Sequence, residues 1–118
     1  MGLRCLIVDD NAEFLRAATE ALQRQGLTVA GVASNIADAL KKADELKPDV
    51  SLVDIDLGDE SGLDLAYRLS PTSKVILISA YSEMDDADLI AASPAVGFLS
   101  KSELSGRAVQ EALNGSRR

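Results

Sequence analysis

The sequence predicts a single doubly wound α/β domain, with a five-stranded parallel sheet and five helices. Three observations lead there. Short β-branched apolar segments alternate five times with segments of helical period, a pattern that implies parallel strands joined by right-handed crossovers. The central apolar segments are nearly unbroken runs of Val, Ile and Leu, as in strands covered on both faces. The chain of 118 residues holds five such units, whereas a closed α/β barrel needs eight.

The first strand spans residues 3–8 and leads to a helix over 12–25. Phe14, Leu15, Ala18 and Leu22 share one face of that helix, a stripe suited to burial. Gly26 follows as its stop signal. A second strand over 28–33 precedes a helix over 36–46, and a third over 50–54 precedes a helix over 62–69. The fourth strand spans 74–79, and its helix over 84–92 opens on Asp85, Asp86 and Asp88, a solvated first turn favoured by the helix dipole. The fifth strand spans 96–100, with a last helix near 103–114. Residues 1–118 read as one domain, and 115–118 with Arg117 and Arg118 as a tail or the start of a linker. Five strands suit the order 2-1-3-4-5.

Composition narrows the function. At 47% hydrophobic and 26% charged residues, the chain is ordinary for a globular protein. Its apolar runs are too short to span a membrane. The start shows no signal-peptide pattern, so a cytoplasmic location is expected. A lone Cys5 forms no internal disulfide and reads as a small core residue. With no histidine and one cysteine, nitrogen and sulfur metal sites are excluded. Any metal must take oxygen ligands, which favours Mg²⁺ or Ca²⁺. A net charge of −7 argues against nucleic-acid binding, which needs clustered cations.

In an open sheet of this kind, ligands bind beyond the carboxyl ends of the strands where the order reverses. Asp9 and Asp10 follow strand one, Asp54 ends strand three, Ser79 ends strand four, and Lys101 follows strand five. Three carboxylates gathered there repel one another unless a cation sits among them. Mg²⁺ resolves the conflict with carboxylates, waters and phosphate oxygens. The same set suits a phosphoryl group, whose transfer needs positioning and charge stabilisation. Mg²⁺, the Ser79 hydroxyl and the Lys101 ammonium each match one phosphoryl oxygen. Asp54, at the end of the central strand, is the candidate nucleophile for an acyl phosphate, and a carboxylate needs no base at neutral pH. Each residue also has a plain reading. Asp10 with Glu13 is a capping box for the first helix, Asp54 a turn former, Ser79 uninformative and Lys101 a solvated cation. Their common edge favours the site.

The segments Leu6-Ile-Val-Asp-Asp10, Val50-Ser-Leu-Val-Asp-Ile-Asp56, Val75-Ile-Leu-Ile-Ser-Ala80 and Gly97-Phe-Leu-Ser-Lys101 resemble the receiver domains of two-component response regulators. The resemblance covers essentially the whole chain. It implies the flavodoxin-like order 2-1-3-4-5, with Asp54 as phosphoacceptor and Asp10 as a direct Mg²⁺ ligand beside it. Asp9 then holds the metal through water, and Asp56 contributes its backbone carbonyl. Ser79 and Phe98 match the family's switch pair, although Phe98 equally reads as a core aromatic. Tyr81, two residues after Ser79, reads as a residue near the site that tunes phosphoryl lifetime.

The same resemblance implies a signalling domain that catalyses only its own phosphorylation and dephosphorylation. Its phosphodonor is a sensor histidine kinase or a phosphotransfer protein. Its output face is the fourth helix, fifth strand and fifth helix, with a homodimer on phosphorylation and transcription regulated through an output domain outside this chain. Three positions depart from the family pattern. Ser102 replaces a proline after Lys101 and reads as a cap for the last helix. Gly58 replaces a proline four residues after Asp54, which predicts a more mobile loop. Phe98 replaces the more common tyrosine.

Two rivals remain. Phosphatases similar to the haloacid dehalogenase family also use an aspartyl phosphate, and Asp54-Ile-Asp56 imitates their signature. They carry that pair near the first strand, however, and turnover of a small phosphate ester distinguishes them. A receiver-fold binding module working without phosphorylation is the other. Such modules usually lose an acidic, Ser/Thr or Lys position, and all are present here. A flavin or dinucleotide carrier is discarded, because no glycine-rich loop follows the first strand.

Overall fold

The computed structural model describes residues 3–80 and 87–115. Strands β1 (Arg4–Val8), β2 (Thr28–Ala33), β3 (Val50–Asp54), β4 (Lys74–Ser79) and β5 (Gly97–Ser100) form one sheet in the order β2-β1-β3-β4-β5. Every pairing in it is parallel. This is the expected order, and its direction reverses between β1 and β3. Helices α1 (Ala12–Arg24), α2 (Ile36–Leu46), α3 (Gly62–Leu69), α4 (Ala87–Ala92) and α5 (Gly106–Gly115) complete the architecture.

Strand alternation divides the core in two. Cys5, Ile7, Val50, Leu52, Ile76 and Ile78 face one side, where Leu15, Ala18 and Leu22 of α1 and Val109 of α5 cover them. Leu6, Val8, Val53, Val75 and Leu77 face the other, under Ala39 and Ala43 of α2 and Leu65, Ala66 and Leu69 of α3. Each buried Val, Leu or Ile contributes roughly 1.5–3 kcal/mol relative to exposure. Cys5 is fully buried, and burial pushes its thiol up to about 11. It is therefore protonated and inert at neutral pH. Phe14 departs from the expected stripe: Leu15, Ala18 and Leu22 are buried, whereas Phe14 is half-buried at the rim.

The helix ends correct two expectations. Asn11, not Asp10, caps α1, accepting the Phe14 amide on Oδ1 at 3.1 Å. A residue in the capping position turns its side chain back over the helix, so this assignment leaves Asp10 outside the cap. Gly26 closes α1 as expected. Its amide reaches the Gln23 carbonyl, and Leu27 reaches Leu22 at 3.0 Å, the paired bonds of a Schellman motif. At the last helix, Lys101–Glu103 form a single 3₁₀ turn. Ser105, not Ser102, caps α5 by accepting the Ala108 amide at 3.0 Å. The 3₁₀ turn consumes three residues in carrying the chain off the sheet edge, so helix geometry starts later than apolar period suggests. The Ser102 hydroxyl instead lies 3.1 Å from that of Ser100.

Asp88 is exposed in the first turn of α4. Tyr81, Asp85 and Asp86 lie outside the described residues, as do positions 84–86 of the expected fourth helix and the tail from 116 to 118. No described helix is long and apolar enough to cross a membrane.

Candidate functional site

The carboxyl ends of β1, β3 and β4 meet where the sheet order reverses. There a cleft of about 230 Å³ is lined by Asp10, Asn11, Asp54, Asp56, Gly58, Ser79, Ala80 and Lys101. Ligand oxygens of Asp9, Asp10 and Asp54 lie within 4.8 Å of one another. Asp9 is fully buried and Asp54 nearly so, at 5% exposure, while Asp10 is exposed at the mouth.

Local structure sets each rotamer. Asp9 Oδ1 accepts the Asn11 amide at 2.8 Å, which leaves Oδ2 toward Lys101. That oxygen is buried and has no hydrogen bond of good geometry; the Lys101 ammonium stands 2.6 Å away as an ion pair. Asp54 Oδ1 accepts the Asp56 amide at 3.2 Å, and its Oδ2 lies 3.1 Å from Lys101 Nζ. Lys101, brought in by the 3₁₀ turn, therefore bridges two acids. Its ammonium also sits 4.5 Å from the centre of the Phe14 ring.

The electrostatics follow from burial. Burial pushes the Asp54 carboxyl up to about 6, and Asp9 adds to the rise, while the Asp56 amide and Lys101 oppose it. Burial tends to lower Lys101, but its contacts with Asp9 and Asp54 outweigh this and hold it above the ordinary lysine range. One ammonium thus faces three carboxylates, a net deficit of positive charge.

The donor set fits a hard divalent cation. All ligand atoms are oxygens, they converge, and the buried Asp9 Oδ2 lacks a hydrogen bond. Three carboxylates share one ammonium there, and Mg²⁺ or Ca²⁺ takes ligands of this type.

Asp56 is exposed, and its Oδ1 accepts the Gly58 amide at 3.2 Å. It belongs to a small hairpin in which Asp56–Leu57 pairs with Glu60–Ser61. Gly58 turns this hairpin at φ 76, which a proline held near about −65° cannot adopt. Ser79 is buried at the cleft wall, and Phe98 is half-buried against the α2/α3 side of the core, paired in register with Leu77. Phe98 does not line the acidic cleft.

Four residues at the site escaped the sequence reading. Asn11 and Phe14 reach it from the first turn of α1. Glu60 ties the hairpin to α2 by accepting the Ile36 amide at 2.8 Å. Gly62 packs on the Asp54 backbone, where its amide donates to the Ile55 carbonyl at 2.7 Å. An aromatic one helical turn past an acidic pair was the available signal for Phe14. Glu60 and Gly62 carried none, because their roles depend on contacts across the chain.

The fold and cleft together define an open, doubly wound α/β domain with an acid-lined pocket at its switch point. The chain belongs to the response regulator receiver domain family, whose model matches residues 5–113. It is a receiver domain of a two-component response regulator, and so a signalling domain. It is 36% identical over 86 residues to the chemotaxis protein CheY of Thermotoga maritima, covering 70% of this chain and 72% of that one. The receiver domain of the putative response regulator NarL from Mycobacterium tuberculosis superposes with a TM-score of 0.82 at 27% identity, covering 98% and 97% of the two chains. A Burkholderia pseudomallei response regulator with a phosphorylated aspartic acid and a calcium ion gives 0.80 at 29% identity, covering 94% and 66%. The chain spans half or less of the length of several other curated relatives, among them a putative transcriptional regulator and a protein-glutamate methylesterase.

Proposed function

We propose that Asp54 accepts a phosphoryl group from a histidine kinase or a phosphotransfer protein, in a Mg²⁺-dependent reaction in the cytoplasm. The observation that carries this reading is the convergence of Asp9, Asp10 and Asp54 within 4.8 Å, beside a cleft that Asp10, Asp54, Ser79 and Lys101 line. A likeness to a regulator with a phosphorylated aspartic acid and a bound calcium supports it.

In this reading an Asp54 carboxylate oxygen attacks phosphorus in line, forming the P–O bond as the donor's P–N bond breaks. Asp54 serves as its own nucleophile, so no proton is withdrawn at neutral pH. Asp10 and Asp54 would hold Mg²⁺ by their carboxylates, while Asp9 would act through water and Asp56 would contribute its backbone carbonyl. When bound, Mg²⁺ would supply positive charge that offsets the charge of the transferred group. The Ser79 hydroxyl donates to a second oxygen, and Lys101 leaves its carboxylate partners to pair with a third.

The phosphoryl group, which puts about −1.5 to −2 of charge where the carboxylate held −1, biases a two-state element. Ser79 moves toward the phosphoryl group, Phe98 turns inward, and the surface of α4, β5 and α5 changes shape. That surface then supports a homodimer and drives an output domain, for which we favour transcription. Nucleic acid is contacted by that output domain and not by this acidic one.

The test is intact mass after incubation with acetyl phosphate, with and without Mg²⁺. A gain of about 80 Da that requires both Mg²⁺ and Asp54 is the expected result. A gain that persists in Asp54→Ala places the phosphoryl group elsewhere and overturns the reading.

A further inference from the structure

Lys101 carries a compact, strongly hydrated charge on a flexible stem, yet its side chain is only 19% exposed. Two of its neighbours are the carboxylates of Asp9, at 2.6 Å, and Asp54, at 3.1 Å. The third is the face of the Phe14 ring, centred 4.5 Å away. A ring face attracts a cation through its quadrupole and also keeps water off that side.

The backbone that carries the ring is itself tied to the site. Asp9 Oδ1 accepts the Asn11 amide, and Asn11 Oδ1 accepts the Phe14 amide. Phe14 then meets Lys101, and Lys101 returns to Asp9 Oδ2. Four residues thus form a closed circuit in which the cap of α1 sets both the Asp9 rotamer and the place of the ring.

We propose that Phe14 is a positioning residue for phosphoryl transfer, its ring face holding the Lys101 ammonium over Asp54. This rests on the assignment of Lys101 to the incoming phosphoryl group. When Lys101 turns from carboxylate to phosphoryl oxygen, the ring limits the ammonium to a short swing within the cleft. Without the ring, the ammonium samples water and reaches the phosphoryl oxygen in fewer encounters.

The test compares three variants of the full chain, Phe14→Tyr, Phe14→Leu and Phe14→Ala. Two quantities are read: the rate of Asp54 phosphorylation by acetyl phosphate at saturating Mg²⁺, and the proton shifts of the Lys101 ε-methylene. The Leu and Ala variants should lose the upfield ring-current shift and slow phosphorylation by about three- to tenfold. The Tyr variant, which keeps the ring face, should retain the shift and stay within about twofold. The Leu variant separates the ring face from apolar bulk alone. Wild-type rate in Phe14→Leu overturns the proposal, as does an unshifted Lys101 ε-methylene in the wild type. A wild type that takes no phosphoryl group defeats the reading of the site instead, while the shifts still report on the contact.

Discussion

Gly62 lies against the backbone of Asp54 so closely that a β-carbon at residue 62 would stand 1.8 Å from the Asp54 carbonyl oxygen and 2.9 Å from the Ile55 α-carbon. No side chain fits there unless the backbone moves. The start of α3 therefore abuts the strand end that presents Asp54. Gly62→Ala should destabilise the fold by about 1–3 kcal/mol through overpacking. It should also weaken Mg²⁺ binding, because the displaced backbone carries Asp54. Urea denaturation and calorimetric titration check the two effects, and unchanged values in both would remove Gly62 from the support of the site.

Asp54 gives the site a pH dependence. Its pKa is about 6, against an ordinary 3.8. Between those values the folded chain holds a proton that the unfolded chain has released. The contribution of Asp54 to stability is therefore greatest below about 3.8 and is lost as the pH rises through about 6. Charged Asp54 at pH 7 then costs on the order of 1–2 kcal/mol after allowance for solvent screening. Asp54→Asn should raise the urea midpoint at pH 7 and leave it little changed near pH 4. Mg²⁺ affinity should fall as the pH drops below about 6, since the proton competes with the metal.

Lys101 and Mg²⁺ answer the same acidic cluster. Removing the ammonium leaves three carboxylates without a counter-charge, so Lys101→Ala should bind Mg²⁺ about three- to tenfold more tightly. The variant should also lose the phosphorylation-linked spectral change at Phe98. Calorimetric titration and NMR would show this, and weaker Mg²⁺ binding would contradict the electrostatic account.

The caps separate two neighbouring serines. Ser105 accepts the Ala108 amide at the head of α5, whereas Ser102 precedes the helix. Ser105→Ala should cost about 1 kcal/mol, measured by thermal or urea unfolding. Ser102→Ala should cost little, because a contact between exposed hydroxyls exchanges readily with water.

Much of this domain was legible in the chain. The doubly wound sheet, its order and the strand ends bearing Asp9, Asp10, Asp54 and Ser79 follow from apolar runs such as Leu6-Ile-Val and Val75-Ile-Leu-Ile-Ser. Burial on both faces demands such runs, and a parallel sheet gathers its carboxyl ends at one edge. Helix starts were less legible. Asp10 and Ser102 have the chemistry of caps, but the capping position depends on where the backbone first turns helical, as at Asn11 and Ser105.

The sequence by itself determined which residue types stand at the sheet edge, and therefore that the cleft is acidic, oxygen-rich and paired with one lysine. Tertiary structure alone decided how they meet. It placed Lys101 between Asp9 and Asp54, set Phe14 beneath its ammonium, tied Glu60 to α2 and pressed Gly62 on the Asp54 carbonyl. The physical reason is range. Period and propensity act over one or two turns of chain, whereas these contacts join positions that only the packed sheet and helices bring within a few ångströms.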